Sequence, residues 1–222
     1  AHDIQACLLE VPPSHKLLDL AALNLTAGEV GGDYYDFIAH GDQHLGLALG
    51  DVSGKGVPAA LLMANLQALL RSQALLGHPV AQCVGTTNFL LYKSLDPVHF
   101  ATLFYGIFDE GDRTFQYTNA GHNAPLLVQA DGNVDLLREG GIPVGILDEF
   151  DYQEGCVSLT SGDALVIYSD GVTEALDMMR TEFGEERLIE TVLNHRHMDA
   201  TELLKQIVDT VHSFCGAAEQ YD

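Results

Sequence analysis

Positive charge is what this chain has least of. Ten Lys and Arg residues stand against 32 Asp and Glu among 222, a formal net charge of −22. Such a surface repels phosphate backbones and anionic headgroups, which argues against nucleic-acid and membrane-surface partners. The acidic excess falls mostly in residues 101–222. Long apolar runs are missing too. The most apolar helical stretch, Val57 to Leu70, is interrupted by Asn65 and Gln67, and nothing approaches the roughly 20 residues of a bilayer span. No charged n-region or cleavage site of a signal peptide is visible, and no initiator Met opens the chain, so a fragment of a longer cytoplasmic protein is expected. Cys7, Cys83, Cys156 and Cys215 are far apart and form no CxxC pair. They read as buried, reduced thiols, with a disulfide framework as the alternative.

Other absences exclude chemistries. No His-x-x-x-His helix or Cys cluster offers a soft metal site, so zinc is not expected. The segment DVSGKG (51–56) fails as a phosphate-binding loop, because its glycines are misplaced and Gly56 rather than Ser or Thr follows Lys55. Ser53, Ser169 and Thr173 belong to no readable Ser-His-Asp arrangement, which leaves acyl transfer without support. His195 and His197 diverge on a helix and read as a solvated helix end. There is no internal repeat and no low-complexity linker, and residues 1–222 are expected to form a single domain with a substantial core.

What remains is a clear pattern of elements. Leu45, Leu47 and Leu49 alternate as a half-buried strand, and residues 57–75 form a helix with Pro58 in its first turn. Residues 100–108 and 114–118 read as strands joined by the acidic turn 109–112, and 125–129 and 133–137 flank the hairpin signal Asp131-Gly132. Residues 164–168 form an apolar strand, and Leu203, Leu204, Ile207, Val208 and Val211 keep helical spacing. Hairpins in the middle with helices on either side favour an α+β fold with antiparallel sheet.

Four acids stand apart: Asp33 after Gly31-Gly32, Asp51 after the 45–49 strand, Asp170 between the 164–168 strand and Gly171, and Asp222 at the end of the chain. A carboxylate where an apolar strand meets glycine is held rigidly beside open backbone. Several brought together repel one another unless a divalent cation neutralises them, and all-oxygen ligands select Mg²⁺, Mn²⁺ or Ca²⁺. Taken singly, each also reads as an ordinary turn or cap residue. His122, in NAGHN (119–123), reads as a hydrogen-bonded turn histidine, with a general acid as the alternative.

The segments AHDIQACLLEVPP (1–13), AGEVGGDYYDF (27–37), LALGDVSGKGVPAALLMANLQALLR (47–71), FATLFYGIFD (100–109), TNAGHNAPLLV (118–128), GIPVGIL (141–147), LVIYSDGVTEALD (165–177) and FGEERL (183–188) together resemble the bacterial PPM-type (PP2C-like) serine/threonine phosphatases of the SpoIIE/RsbU branch. The resemblance implies a PP2C-like sandwich of two antiparallel β-sheets flanked by helices. It implies two Mn²⁺ or Mg²⁺ ions, with Asp51 bridging them, the Val52 carbonyl beside it, Asp33 of GGD on the first, Asp170 of SDG on the second, and Asp222 completing the second site. It implies hydrolysis of a phosphoserine or phosphothreonine ester by metal-activated water. Lys55 would then sit at the rim of the site, with an ordinary solvated lysine as the equal alternative. The implied partners are a phosphorylated STAS-type anti-sigma-factor antagonist and an upstream sensor or receiver domain in the same chain. A homodimer is compatible with this reading. Two departures are visible: the family pattern continues beyond its terminal acids where this chain stops, and Ser53 occupies the place of the histidine in the eukaryotic DGHGG motif. The alternatives are a catalytically silent partner-binding domain and, more remotely, a nucleotide cyclase suggested by GGDYY, in which Tyr34 replaces the acid that a cyclase signature needs.

Overall fold

The computed structural model describes residues 5, 7–26, 28, 30–41, 43–94 and 99–218. Nine strands and five helices follow in the order β1 (Tyr34–His40), β2 (His44–Val52), α1 (Gly56–Ala74), α2 (Val80–Ser94), β3 (Ala101–Asp109), β4 (Thr114–Ala120), β5 (Leu126–Val128), β6 (Val134–Leu136), β7 (Gly140–Gly141), β8 (Gly155–Ser158), β9 (Ala164–Val166), α3 (Asp170–Thr173), α4 (Gly184–His195) and α5 (Ala200–Cys215) among the described residues. The fold is α+β. The larger sheet runs β1-β2-β3-β4-β7 with β8 also paired to β4, and the smaller runs β6-β5-β9. Every pair is antiparallel except the two-residue β4–β7 pair.

Side-chain alternation sorts these strands into four layers. On β3, Leu103 and Tyr105 face α1 and α2, where Met63, Leu66, Leu70, Val84 and Leu91 meet them. Phe104 and Phe108 point the other way and pack with Phe115, Tyr117, Leu127 and Leu137 between the two sheets. On β5 the phase repeats: Leu127 faces the larger sheet, while Leu126 and Val128 meet Leu188, Val192, Leu203 and Ile207 of α4 and α5. A period of two thus places one strand in two cores at once.

Two elements lay hidden from the apolar pattern because polar residues occupy core positions. On β1, Asp36 stands between Tyr34 and Ile38 on the helix-facing side and is almost fully buried. Arg71 of α1 reaches it with two hydrogen bonds of 2.8 Å, from Nε to Oδ2 and from Nη2 to Oδ1, and also pairs with Glu10. On α2, buried Thr87 and Asn88 interrupt the run of Val80, Cys83, Val84 and Leu91. Asn88 spends its amide on the backbone of the 145–147 loop, donating to the Leu147 carbonyl and accepting from the Gly145 N–H.

The cysteine expectation needs correction. All four thiols are free, but only Cys83 and Cys215 are buried, while Cys7 and Cys156 are exposed. Cys156 lies on β8 in an outward-facing phase that burial of its neighbours does not require. No helix among the described residues is long and apolar enough to cross a membrane.

Candidate metal centre

Two of the acids singled out in the sequence, Asp33 and Asp51, lie at one end of the space between the sheets, and Asp170 follows directly on the residue that binds Asp33. β2 is longer than its alternating leucines announce and carries Asp51 and Val52 as its last two residues, opposite Thr102 and Ala101 of β3. Asp51 has the phase of Leu47, which packs between the sheets, and Thr102 has the phase of Phe104. β1 starts at Tyr34 beside Gly50, so Asp33 enters next to the end of β2. From the smaller sheet, Leu165 and Ile167 pack between the sheets, and Ser169 continues their phase. Ser169 Oγ donates to Asp33 Oδ2 at 2.9 Å. Asp170 follows it as the first residue of α3, where its carbonyl accepts from the Glu174 N–H.

Gly32 makes the approach of Asp33 to Asp51 feasible. A Cβ at this position would lie 2.6 Å from the Val52 carbonyl oxygen, 3.3 Å from the Val52 nitrogen and 3.4 Å from Asp51 Oδ1. The missing side chain is therefore what lets the two strand ends close. Gln5 secures the turn from outside: its Nε2 donates to the Gly31 carbonyl at 2.7 Å, and its Oε1 accepts from the Gly31 N–H at 3.1 Å. Asn24 Nδ2 donates to the Asp33 carbonyl at 3.0 Å. Gly32→Ala should destabilise the protein by roughly 1–3 kcal/mol, since the overlap is with backbone that has no easy retreat. It should also weaken Mn²⁺ binding; thermal melting and Mn²⁺ calorimetry that both match the wild type would refute this account of Gly32.

Carboxylate and carbonyl oxygens, the donor types of Asp33, Asp51, Asp170 and Val52, are those a hard cation takes, and Gly32 brings the Val52 carbonyl and Asp51 Oδ1 close to the turn that carries Asp33. Among the described residues, no three His, Cys, Asp or Glu side chains already stand as a cage around a cation position. Asp222 lies outside the described residues. Lys55 is exposed at the N-cap of α1, four residues beyond Asp51.

The hydroxyl groups nearby are engaged in structure. Ser53 extends the β2–β3 ladder, with its N–H donating to the Phe100 carbonyl and its Oγ accepting from the Phe100 N–H. The role of Ser169 was not legible from sequence order, because Asp33 lies 136 residues away. His122 proves to be a buried ring with Nδ1 2.7 Å from Thr102 Oγ1 and its backbone N–H donating to Asn119 Oδ1.

Burial holds His122 neutral, with its pKa lowered to about 4, although the nearby Tyr168 backbone favours the protonated ring. Stability should therefore fall as pH drops from about 6.5 to about 4, because the unfolded imidazole takes up a proton that the folded one refuses. The expected loss is on the order of 2–3 kcal/mol, and urea unfolding across that range should show a shallower pH slope for His122→Asn. Equal slopes would mean that the ring is solvated.

A cavity of ≈ 370 Å³ lies at the opposite end of β1 and β2, lined by His15, His44, Arg71 and Glu110 among others. Its polar side chains already have partners, Arg71 in Glu10 and the buried Asp36, and His15 in Glu110. The strand ends bearing Asp33 and Asp51 are the other ends of the same two strands, so the cavity is not the site.

Comparison with known proteins agrees with this architecture. The phosphoserine phosphatase RsbU of Bacillus subtilis (strain 168) is 32% identical over 95% of this chain, which spans 63% of that relative's length. The solved RsbU and RsbW domains of a Mycobacterium tuberculosis protein superpose with a TM-score of 0.74 at 28% identity, covering 84% of this chain and 52% of that one. The SiaA PP2C domain of Pseudomonas aeruginosa gives a TM-score of 0.79 at 21% identity, covering 88% and 79%, and shows the shared fold. The family model for stage II sporulation protein E matches residues 41–222, and with the β-sandwich described above it establishes that the chain belongs to the SpoIIE family of PP2C-fold proteins.

Proposed function

We propose that this chain is a metal-dependent phosphoserine/phosphothreonine protein phosphatase. The observation that carries the reading is the meeting of Asp33, Asp51 and Val52 around Gly32, with Ser169 binding Asp33 and Asp170 following directly. The 32%-identical relative RsbU, itself a phosphoserine phosphatase, supports it. Asp33, Asp51, the Val52 carbonyl and Asp170, with Asp222 from the C-terminal end, would hold two Mn²⁺ or Mg²⁺ ions. Ions held by these residues would supply positive charge against a phosphate dianion and lower the pKa of a water molecule for hydrolysis.

The chain's own residues prepare the site. The end of β2 holds Asp51 and Val52 in a ladder position, and Ser169 fixes the carboxylate of Asp33. Ser53 and Ser169 have their hydroxyls in structural hydrogen bonds, which favours water over a side chain as nucleophile. A surface of net charge −22 repels a phosphoprotein's phosphate in general, so attraction is confined to the cation positions. The resemblance of the sequence motifs to this family extends the proposal to a phosphorylated STAS-type anti-sigma-factor antagonist as substrate, a sensor or receiver domain in the same chain, and a cytoplasmic place of action.

The test is phosphate release from a phosphoseryl STAS protein and from p-nitrophenyl phosphate, with Mn²⁺, Mg²⁺ or EDTA. Metal-dependent release from both supports the reading. Metal binding without any release would favour the silent partner-binding domain instead.

A further inference from the structure

His122 lies in the connection from β4 to β5, where the chain leaves the larger sheet for the smaller one. It is 7% exposed, and neither the proposed cation ligands nor the hydrolysis needs it. Its place nonetheless links both halves of the site. Nδ1 meets Thr102 Oγ1, and Thr102 is the ladder partner of Asp51. On the other side the chain runs from His122 into β5, which pairs with β9, the strand that leads to Ser169 and Asp170. The turn that carries the ring is itself pinned. Asn119 Oδ1 accepts the His122 N–H while its amide donates to the Leu137 carbonyl. Gly121 adopts a φ of +70° with Pro143 packed so closely that a Cβ would fall 2.5 Å from its ring.

A buried polar ring is a costly way to fill space. Nε2 completes no hydrogen bond of good geometry among the described residues, so an apolar side chain would serve packing better. What the ring supplies and packing does not is direction. The apolar contact between the sheets (Phe104, Leu127, Leu165) tolerates small slides, whereas a 2.7 Å hydrogen bond to one strand position does not.

We propose that the His122–Thr102 pair is a positioning device, holding the end of β2 that carries Asp51 and Val52 in register with the segment that carries Ser169 and Asp170. Oxygen donors from two different sheets then keep the spacing that the cations require. This rests on the two-cation reading above. His122 acts through Thr102 and the β4–β5 link, and is not itself a ligand.

The test is Mn²⁺ calorimetry on the chain, beside steady-state hydrolysis of p-nitrophenyl phosphate at saturating Mn²⁺, for Thr102→Val, His122→Ala and His122→Asn. Partners behind a metal ligand typically change affinity or activity by about 10–100-fold. Thr102→Val and His122→Ala should therefore bind Mn²⁺ roughly tenfold more weakly and lose kcat, with KM changed less than about twofold. His122→Asn, whose amide reaches the position of Nδ1, should recover most of the affinity. Valine is nearly isosteric with threonine and at home in a strand, so Thr102→Val keeps the test decisive if His122→Ala fails to fold. Folded Thr102→Val that binds Mn²⁺ as the wild type does overturns the proposal alone. A wild type that binds no Mn²⁺ overturns the two-cation reading and this inference together.

Discussion

Asp51→Asn is expected to lower metal-dependent phosphate release by on the order of 10³-fold while leaving the fold intact. The substitution preserves side-chain shape at the penultimate residue of β2 and removes one negative charge from the place where Asp33 and Val52 converge. Cations at such sites contribute several kcal/mol of transition-state stabilisation, and each 1.36 kcal/mol is a factor of ten in rate. Stability should respond in the opposite sense. Without metal, the variant has one less carboxylate in an acidic cluster and should melt at or slightly above the wild-type temperature. With Mn²⁺ at about 100 times its dissociation constant, the wild type should gain about 2.7 kcal/mol and the variant much less. Melting curves with and without Mn²⁺, set beside the rates, separate loss of a ligand from loss of structure. A variant that keeps wild-type turnover would remove Asp51 from the site.

Arg71→Met should produce the largest loss of stability away from that site. Asp36 is 1% exposed at its side chain and Arg71 35%, so the substitution strands a buried carboxylate whose partner was partly solvated. Breaking a buried pair from one side typically costs about 3–5 kcal/mol, and the solvation of Arg71 argues for the lower end, about 3 kcal/mol. For a chain of this size that corresponds to a fall on the order of 10 °C in Tm. Burial already raises the Asp36 pKa above the usual carboxylate value, and the hydrogen bonds and charge of Arg71 only partly offset it. Without Arg71 the folded state should hold the Asp36 proton still more tightly than the unfolded state does. The deficit of the variant should therefore shrink as pH falls from 7 towards 5. Adding Asp36→Asn should restore part of the loss at neutral pH. A deficit independent of pH and unchanged in the double variant would show that Arg71 contributes only its packing on β1.

The sequence by itself determined the fold class, because its alternating and helical apolar spacings are local. β2, β3, β4, the β5–β6 hairpin, α1 and α5 all lie where those spacings put them. It also drew attention to Asp33, Asp51 and Asp170 as candidates, since glycine beside an acid at a strand end is a local signal. It failed where a polar side chain is buried against something distant. β1 hid behind Asp36, which only Arg71, 35 residues on, makes tolerable. α2 hid behind Thr87 and Asn88, and Asn88 finds its partner 59 residues away in the 145–147 loop. Tertiary structure alone decided that Gly32 is the gap through which Asp33 reaches the end of β2, that Ser169 holds Asp33 from the other sheet, and that His122 stands behind Asp51 through Thr102. The physical reason is the same in each case. Hydrogen bonds between side chains and the absence of a Cβ act over a few ångströms in space, and the chain brings those atoms together only after both sheets have formed.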